Sequence, residues 1–340
     1  MVMLEELREF GVANLPGIWL DTGDAVQGCI LLVESNLDFE DFSEAIQNSI
    51  FIRHLASVDY EDSLKGTESD VEYICAFADV LGRRMEPGRS FSVQTRILGT
   101  GKLPYRKVVI NELLSQFLIV RSDSEMDCRN PEQVVSVLCT PKTTYIGLSE
   151  TSLNRSSWPG GKHRFKREDD QISRAEFKML EALSVFGLSL PSNGLALDIG
   201  ASPGGWTRML AEAGLTVDAV DPAELDPKLR GNRRVRHLRK RIQEYQAGSK
   251  KFRAIVNDMK MDARDSIEIM LRFASRLEPD GLGLMTLKLP QAGRSPREAR
   301  ATLGMVWDDL NRLSEGYEIV GARQLYHNRS EVTVALRARG

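Results

Sequence analysis

Residues 195–206, LALDIGASPGGW, constrain the fold more than any other part of the chain. Residues 195–199 form a short apolar run, which is typical of a buried strand. Residues 200–205 are small residues and a proline, so they predict a sharp turn, and helical character resumes from Trp206. Strand, glycine-rich turn and helix in this order are typical of an open α/β sheet whose ligand lies against the turn.

Two acidic residues mark the ligand side of this turn. Asp198 closes the first strand, and Asp221 follows a second apolar run at residues 216–220. A carboxylate in that second position can bind both hydroxyls of a ribose. Neither Gly-x-Gly-x-x-Gly nor a phosphate loop is present, so S-adenosylmethionine is a better candidate than NAD. The predicted cofactor-binding residues are Asp198, Gly200, Ser202, Pro203, Gly204, Gly205, Trp206, Asp221 and Asp258.

The composition is that of a globular protein. The chain has 340 residues, of which 42% are hydrophobic, and it contains no run of 18 apolar residues, so no membrane span is predicted. The N-terminus lacks a signal-peptide pattern. The four cysteines are scattered without paired spacing, which predicts neither a metal site nor a disulfide framework. A cytoplasmic location is the simplest expectation.

Acidic residues predominate in residues 1–90, and basic residues predominate in the rest of the chain. Residues 1–90 carry 18 acidic and 6 basic side chains. The basic excess of the rest is compatible with RNA binding.

We predict an N-terminal α/β domain of ferredoxin-like type over residues 1–85, with a strand over 28–34 and helices over 39–56 and 71–81. A second domain with a basic linker follows over 86–167, and the α/β domain occupies 168–340.

The second domain resembles an RNA-binding module. Residues 91–96, 134–138 and 144–148 have strand patterns, and residues 107–120 suit an amphipathic helix. The element order, with DCRNPE before a strand and TYIGLS after it, resembles the THUMP family. The linker that follows, residues 154–167, places Arg164 and Lys166 beside aromatic residues, which suits phosphate contact and base stacking. A solvated linker is the alternative.

A second basic segment covers residues 228–241, with eight cations and no acidic residue. Arg234 and Arg236 lie in its middle, and we predict that they contact RNA. An exposed basic loop is the alternative reading of this segment.

Four charged residues are predicted to meet at one edge of the α/β sheet. Asp258 and Lys288 end two further predicted strands, at 252–259 and 281–289. The last two strands, 317–325 and 331–336, are joined too closely for a crossover, so they form an antiparallel hairpin. Glu331 therefore starts its strand at the edge where the parallel strands end. Lys178 enters from a helix over 173–186 that a capping box, Ser173 to Glu176, opens.

These residues resemble the FtsJ-like RNA ribose 2′-O-methyltransferases. The resemblance covers residues 170–338 and rests on SRAEFKMLEA, LDIGASPGGWT, NDM, LKLP and NRSEVTVAL. It implies a Rossmann-like fold with a seven-stranded mixed sheet, and a catalytic Lys-Asp-Lys-Glu tetrad at Lys178, Asp258, Lys288 and Glu331. Together with the THUMP-like segment, the chain is most similar to the bacterial 23S rRNA cytidine 2′-O-methyltransferases. The implied partner is 23S rRNA or a large-subunit precursor, the implied base is Lys288, and no metal is required.

Other functions remain open at this point. THUMP-bearing amino-group methyltransferases carry Asn-Pro-Pro-Tyr where this chain has Asn257-Asp258-Met259-Lys260, which argues against base methylation. A cytosine C5 enzyme needs a cysteine nucleophile, and no cysteine follows Cys139. A tRNA substrate, or an RNA-binding or ribosome-assembly factor that retains the fold, stays possible.

Overall fold

The computed structural model describes residues 1–10, 18–20, 30–99, 103–290 and 295–339. The chain divides into two compact units. The first unit comprises Met1–Glu6, Asn48–Ile52 and His163–Gly340, and the second comprises Leu7–Gln47 and Arg53–Lys162. The three-domain division over 1–85, 86–167 and 168–340 stays a prediction. Cys29 and the first two residues of the strand predicted over 28–34 lie outside the described residues.

The second unit is built around a four-stranded sheet. Elements of this half of the chain are α1 (Val2–Glu9), β1 (Ile18–Leu20), β2 (Ile30–Leu32), α2 (Phe39–Ala45), β3 (Tyr60–Ser63), α3 (Ser69–Ala76), α4 (Ala78–Arg84), β4 (Phe91–Ile97), α5 (Lys107–Arg121), β5 (Gln133–Cys139) and β6 (Thr143–Glu150). The strand order is β3-β6-β5-β4, with β4 and β5 parallel and the other pairs antiparallel. The predicted strands of the second domain, and its helix, are confirmed to within two residues.

The helix predicted over 39–56 is wrong beyond Ala45. Residues 48–52 belong to the other unit, where the backbone N–H groups of Ile50 and Phe51 donate to the buried Glu6 carboxylate at 2.5 and 3.0 Å. The Ile50 carbonyl in turn accepts from Gln324 N. Because these backbone groups bond to distant parts of the chain, they cannot continue a helix.

The helix predicted over 71–81 is two helices, α3 and α4, separated at Phe77. The Phe77 N–H donates to Ile74 O, three residues back rather than four, which tightens the chain into a turn. The Phe77 ring packs against Tyr60 and Tyr73, with centroids 5.2 and 5.8 Å apart. Tertiary packing therefore overrides the helical periodicity at this position.

The first unit contains the seven-stranded mixed sheet that the sequence predicts. Its elements are α6 (Ala175–Val185), β7 (Leu195–Ile199), α7 (Gly205–Glu212), β8 (Thr216–Val220), β9 (Val235–Leu238), β10 (Phe252–Asn257), α8 (Ala263–Arg272), β11 (Leu277–Lys288), α9 (Pro296–Leu313), β12 (Tyr317–Arg323) and β13 (Glu331–Ala338). The strand order is β12-β13-β11-β10-β7-β8-β9. Only β13 runs against its neighbours, which makes the fold Rossmann-like with an antiparallel final hairpin.

Helices cover both faces of this sheet, which is why its central strands β7 and β10 are mostly apolar. Leu197 and Ile199 of β7 point into the core beneath α8 and α9, whereas Ala196 points into the core beneath α6 and α7. Helix α8 ends at Arg272, and β11 begins at Leu277. The basic segment 228–241 contains the edge strand β9. No helix in the described ranges is long and apolar enough to cross a membrane.

A buried ion pair fixes α6 against α7. Glu176 on α6 is 2% exposed at its side chain, and Arg208 on α7 donates to it at 3.0 and 2.5 Å. The same carboxylate accepts from the backbone N–H groups of Ile172 and Ser173, so half of the predicted capping box is present. Ala175 O also accepts from Trp206 Nε1 at 2.7 Å. The helix that carries Lys178 is thereby tied to the helix that follows the glycine-rich turn.

We expect Arg208→Met to lower the free energy of unfolding by about 3 kcal/mol, because it leaves the Glu176 carboxylate buried without its cation. Arg312→Met is the matched control, since Arg312 pairs with Glu268 and Glu315 on an exposed surface and should cost less than about 1 kcal/mol. Urea unfolding of both variants measures the difference. Equal losses would show that the Glu176–Arg208 pair does not hold the two helices together.

Candidate active site

The four residues of the predicted tetrad lie together at the carboxyl edge of the seven-stranded sheet. Asp258 directly follows β10, and Lys288 is the last residue of β11. Glu331 opens β13 and is the register partner of Lys288 across the antiparallel ladder. Lys178 arrives from α6, in the first turn of that helix. The hairpin argument from the sequence therefore describes the observed topology.

The two lysines and two carboxylates form one connected network. Lys178 Nζ donates to Asp258 Oδ1 and Oδ2 at 3.0 and 3.2 Å, and to Glu331 Oε2 at 2.7 Å. Lys288 Nζ donates to Glu331 Oε1 at 2.7 Å and lies 3.6 Å from Asp258 Oδ1. Glu331 thus bridges the two amines with its two oxygens. All four side chains are between 14% and 19% exposed, so the network is accessible from one side.

Burial and pairing act in opposite directions on these groups. Burial alone lowers the pKa of Lys178, but Asp258 and Glu331 outweigh that effect and raise its pKa above the ordinary value. Burial alone raises the pKa of Glu331, but hydrogen bonds from Lys178 and Lys288 lower it overall. Lys178 is therefore held as a cation and Glu331 as an anion across the neutral pH range.

Asp258 contacts Lys178 more closely than Lys288. Its carboxylate accepts from Lys178 Nζ at 3.0 Å, lies 3.6 Å from Lys288 Nζ and also accepts from Thr286 Oγ1 at 2.7 Å. Thr286 Oγ1 in turn accepts from Lys288 Nζ at 3.4 Å. Sequence reasoning missed Thr286. Its position two residues before Lys288 on the same strand face was the available signal.

The glycine-rich turn packs too closely for side chains at several positions. Gly200 has φ +74°, and a Cβ there would lie 2.2 Å from Met259 Cγ. A Cβ on Gly205 would lie 2.4 Å from Ser173 Oγ. The Ser202–Pro203 peptide bond is cis, and Gly204, with φ +113°, leads into α7. Ser202 N donates to Asp221 Oδ2 at 3.1 Å, so the second acidic residue holds the turn from the neighbouring strand.

Three carboxylates converge beside this turn. Asp198 is buried, and its Oδ2 accepts from Thr207 Oγ1 at 2.5 Å. Burial raises the pKa of Asp198 to about 7, and the negative charges of Asp258 and Asp221 add to that effect. A cationic ligand would relieve this repulsion. S-adenosylmethionine carries a sulfonium and an ammonium group, so the three carboxylates beside this turn suit it as a ligand. Thr207 is a further residue that sequence reasoning missed.

The predicted RNA-binding residues fall into two groups. Arg164 and Lys166 are exposed in the linker before α6. Arg234 and Arg236 lie at β9 and have partners inside the protein, since Arg234 donates to Gly214 O and Arg236 pairs with Asp218. In the part of the chain that the structure describes, no group of three or more His, Cys, Asp or Glu side chains is arranged to hold a metal ion.

Comparisons of the sequence with known proteins find similarity to methyltransferases. Residues 171–292 match the model of the FtsJ-like methyltransferases. The chain is 32% identical over 203 residues to the ribosomal RNA large subunit methyltransferase M of Pseudoalteromonas translucida (strain TAC 125), and 33% identical over 206 residues to that of Serratia proteamaculans (strain 568). Both alignments cover 58% of this chain, and they cover 55% and 54% of the relatives.

The chain thus spans little more than half the length of the curated relatives it matches. Among solved structures, the fibrillarin of Aeropyrum pernix, crystallised with natively bound S-adenosyl-L-methionine, is 14% identical with a TM-score of 0.36, covering 59% of this chain and 81% of that one. Residues 171–292 thus match the FtsJ-like methyltransferase family, and this stretch contains Lys178, Asp258 and Lys288 of the tetrad.

Proposed function

We propose that this protein transfers a methyl group from S-adenosylmethionine to a ribose 2′-hydroxyl of RNA. The observation that carries the proposal is the tetrad, in which Lys178, Asp258, Lys288 and Glu331 lie within hydrogen-bonding reach of one another beside the glycine-rich turn. A ribose hydroxyl is a weak nucleophile at neutral pH, so its methylation needs a positioned base and an aligned donor. The tetrad and the turn provide places for both.

The turn and its acidic neighbours are the proposed donor site. When bound there, S-adenosylmethionine supplies a methyl group on a cationic sulfur that is a good leaving group. Asp198 and the backbone of 200–204 face the methionine end, and Asp221 faces the ribose. Gly205, Trp206 and Asp258 complete the proposed contacts. The positive φ angles of Gly200 and Gly204, +74° and +113°, support this assignment, because they let the backbone turn sharply beside Asp198 and Asp221.

The contacts of the tetrad argue against Lys178 as the base, and the family resemblance assigns that role to Lys288. Lys178 contacts both carboxylates closely and its pKa is raised, so it remains a cation and cannot accept a proton. Lys288 ends a strand at the open edge and shares Glu331 with Lys178. In its neutral form the Lys288 amine removes the 2′-hydroxyl proton while the positive charge of Lys178 balances the carboxylates. Glu331, Asp258 and Thr286 orient the two amines.

The proposed substrate is 23S rRNA, or a precursor of the large subunit, methylated at a cytidine. The names of the curated relatives support ribosomal RNA of the large subunit, and the tetrad supports ribose rather than base chemistry. The THUMP-like segment over residues 85–165 and the exposed Arg164 and Lys166 are the proposed RNA contacts outside the tetrad. The proposed location of this reaction is the cytoplasm.

The direct test uses the full chain, labelled S-adenosylmethionine and unmethylated large-subunit rRNA, followed by nucleoside mapping. We expect label on a 2′-O-methylcytidine of the rRNA and none on tRNA. Label on a base, or on tRNA alone, would contradict the assigned substrate.

We expect Lys288→Ala to slow single-turnover methyl transfer at saturating donor by roughly 10²–10⁴-fold, because a positioned base is lost. Lys288→Arg should not restore the rate, since a guanidinium stays protonated. Lys260→Ala, at an exposed lysine two residues beyond Asp258, is the matched control and should react at the wild-type rate. Calorimetry should show unchanged donor binding in all three variants. A Lys288→Ala rate near that of the wild type would remove Lys288 as the base.

Donor binding should strengthen as the pH rises through 7. Asp198 has its pKa raised to about 7 in the free protein, so it is largely protonated at pH 6 and can attract a cation only once it ionises. By linkage, the dissociation constant for S-adenosylmethionine should fall several-fold between pH 6 and pH 7.5, reaching about tenfold at most. Calorimetric titrations at the two pH values give the measurement.

Asp198→Asn is the control for that titration, because the amide does not ionise. It should bind the donor more weakly and with little pH dependence over the same range. If the variant showed the same pH dependence as the wild type, another group would be responsible.

A further inference from the structure

We propose that Phe165, Phe177 and His327 form a stacking platform for a nucleobase of the bound RNA, beside the tetrad. This inference rests on the proposed function for its substrate class and adds a subsite that recognises the base. The three residues come from the linker, from α6 and from the turn between β12 and β13. We call them the aromatic platform.

The three rings contact one another, and the two phenylalanine rings are stacked. Phe165 and Phe177 have centroids 6.2 Å apart and planes inclined by 20°. His327 lies 5.7 Å from Phe165 and 5.3 Å from Phe177, with inclinations of 32° and 40°. None of the three is fully buried. Partly exposed aromatic rings are the kind of surface on which unpaired bases stack.

Two residues of the platform are close in sequence to residues of the tetrad. Phe177 immediately precedes Lys178 in α6. His327 lies four residues before Glu331, and its neighbour Asn328 donates through Nδ2 to Glu331 O at 3.2 Å. A base on the platform would therefore lie close to the ribose whose hydroxyl the tetrad addresses.

Glu181 holds the imidazole of the platform in place. This carboxylate is buried on α6, one turn after Lys178, and accepts from Tyr326 N at 2.7 Å and from His327 N at 2.9 Å. His327 Nδ1 lies 2.7 Å from the same carboxylate. Burying a carboxylate is costly unless several donors satisfy it. Here those donors all belong to residues 326 and 327, so the arrangement fixes the turn and the plane of the ring.

Exposed cations flank Phe165 in the sequence. Arg164, Lys166 and Arg167 are all exposed, and none of them has an ion pair within the described ranges of the chain. Their positive charges can neutralise backbone phosphates while Phe165 takes a base. Alternation of free cations with a stacking ring is the pattern by which proteins bind single-stranded RNA. Packing of the linker onto α6 accounts for the ring contacts but not for these cations.

The test distinguishes stacking of an RNA base on the rings from packing of the rings within the protein. The full-length protein is titrated against a short fluorescent oligocytidylate RNA and against the same ribose-phosphate chain with abasic positions. Phe165→Leu and Phe177→Leu keep an apolar side chain but lose the ring, and each should weaken oligocytidylate binding roughly tenfold. Binding of the abasic chain should not change, because its phosphates still meet the cations. Phe165→Trp should bind the oligocytidylate at least as well as the wild type.

The control is Phe186→Leu, because Phe186 caps the far end of α6 and packs on Gly321. It should bind both probes like the wild type. Unchanged donor binding and thermal unfolding will show that each variant is folded. The platform is overturned if Phe165→Leu and Phe177→Leu bind oligocytidylate normally, or lose affinity equally for the abasic chain.

The same variants separate this inference from the proposed function. If the wild type methylates rRNA and the leucine variants keep its KM for that RNA, only the platform is wrong. If the wild type binds oligocytidylate through the rings but transfers no methyl group to a ribose, the proposed reaction is wrong and the platform stands.

Discussion

The reversed direction of β13 is the constraint on which the site depends. In the otherwise parallel sheet, the carboxyl ends of the strands meet at one edge, and a parallel final strand would begin at the opposite edge. The antiparallel pairing with β11 instead sets Glu331 opposite Lys288. Its carboxylate can then bridge Lys288 and Lys178, at 2.7 Å each. Without that bridge, two like charges would share a poorly solvated edge.

Helix α6 organises three regions of the first unit with three polar side chains. Glu176 binds Arg208 and so fixes α7 behind the glycine-rich turn. Lys178, two residues later, enters the tetrad, and Glu181, three residues further, holds the turn at 326–327. Because these residues lie within two helical turns, the spacing of the helix sets the distances between the turn, the tetrad and the aromatic platform.

Much of this arrangement could be predicted from the sequence where pattern and topology act together. The strands at 195–199 and 216–220 were predictable because buried parallel strands are continuous apolar runs. The carboxyl ends of parallel strands meet at one edge of a sheet, so the strand assignments alone predicted that Asp258, Lys288 and Glu331 lie together. What failed were features decided by remote contacts. The helix predicted to residue 56 ends at Ala45, and the backbone N–H groups of Ile50 and Phe51 donate instead to the Glu6 carboxylate.

The sequence also does not show which residues of the site pair with one another. Nothing in the spacing of Asp258 indicates that Lys178, rather than Lys288, is its nearest cation. Thr286 and Thr207 are unremarkable in sequence, and their roles emerge only from their hydrogen bonds to Asp258 and Asp198. Glu181 and Arg208 likewise resemble ordinary helix residues until their buried partners are seen.

The tetrad has a consequence for how a polyanion finds the site. Two ammonium groups and two carboxylates give it a formal charge of zero, so it exerts little field beyond the Debye length of about 8–10 Å. Long-range attraction must come instead from exposed cations such as Arg164, Lys166 and Arg167, which ions in solution screen. For the proposed RNA substrate, ionic strength would govern how often the RNA reaches the site, whereas the rate of methyl transfer from the docked state should not depend on it.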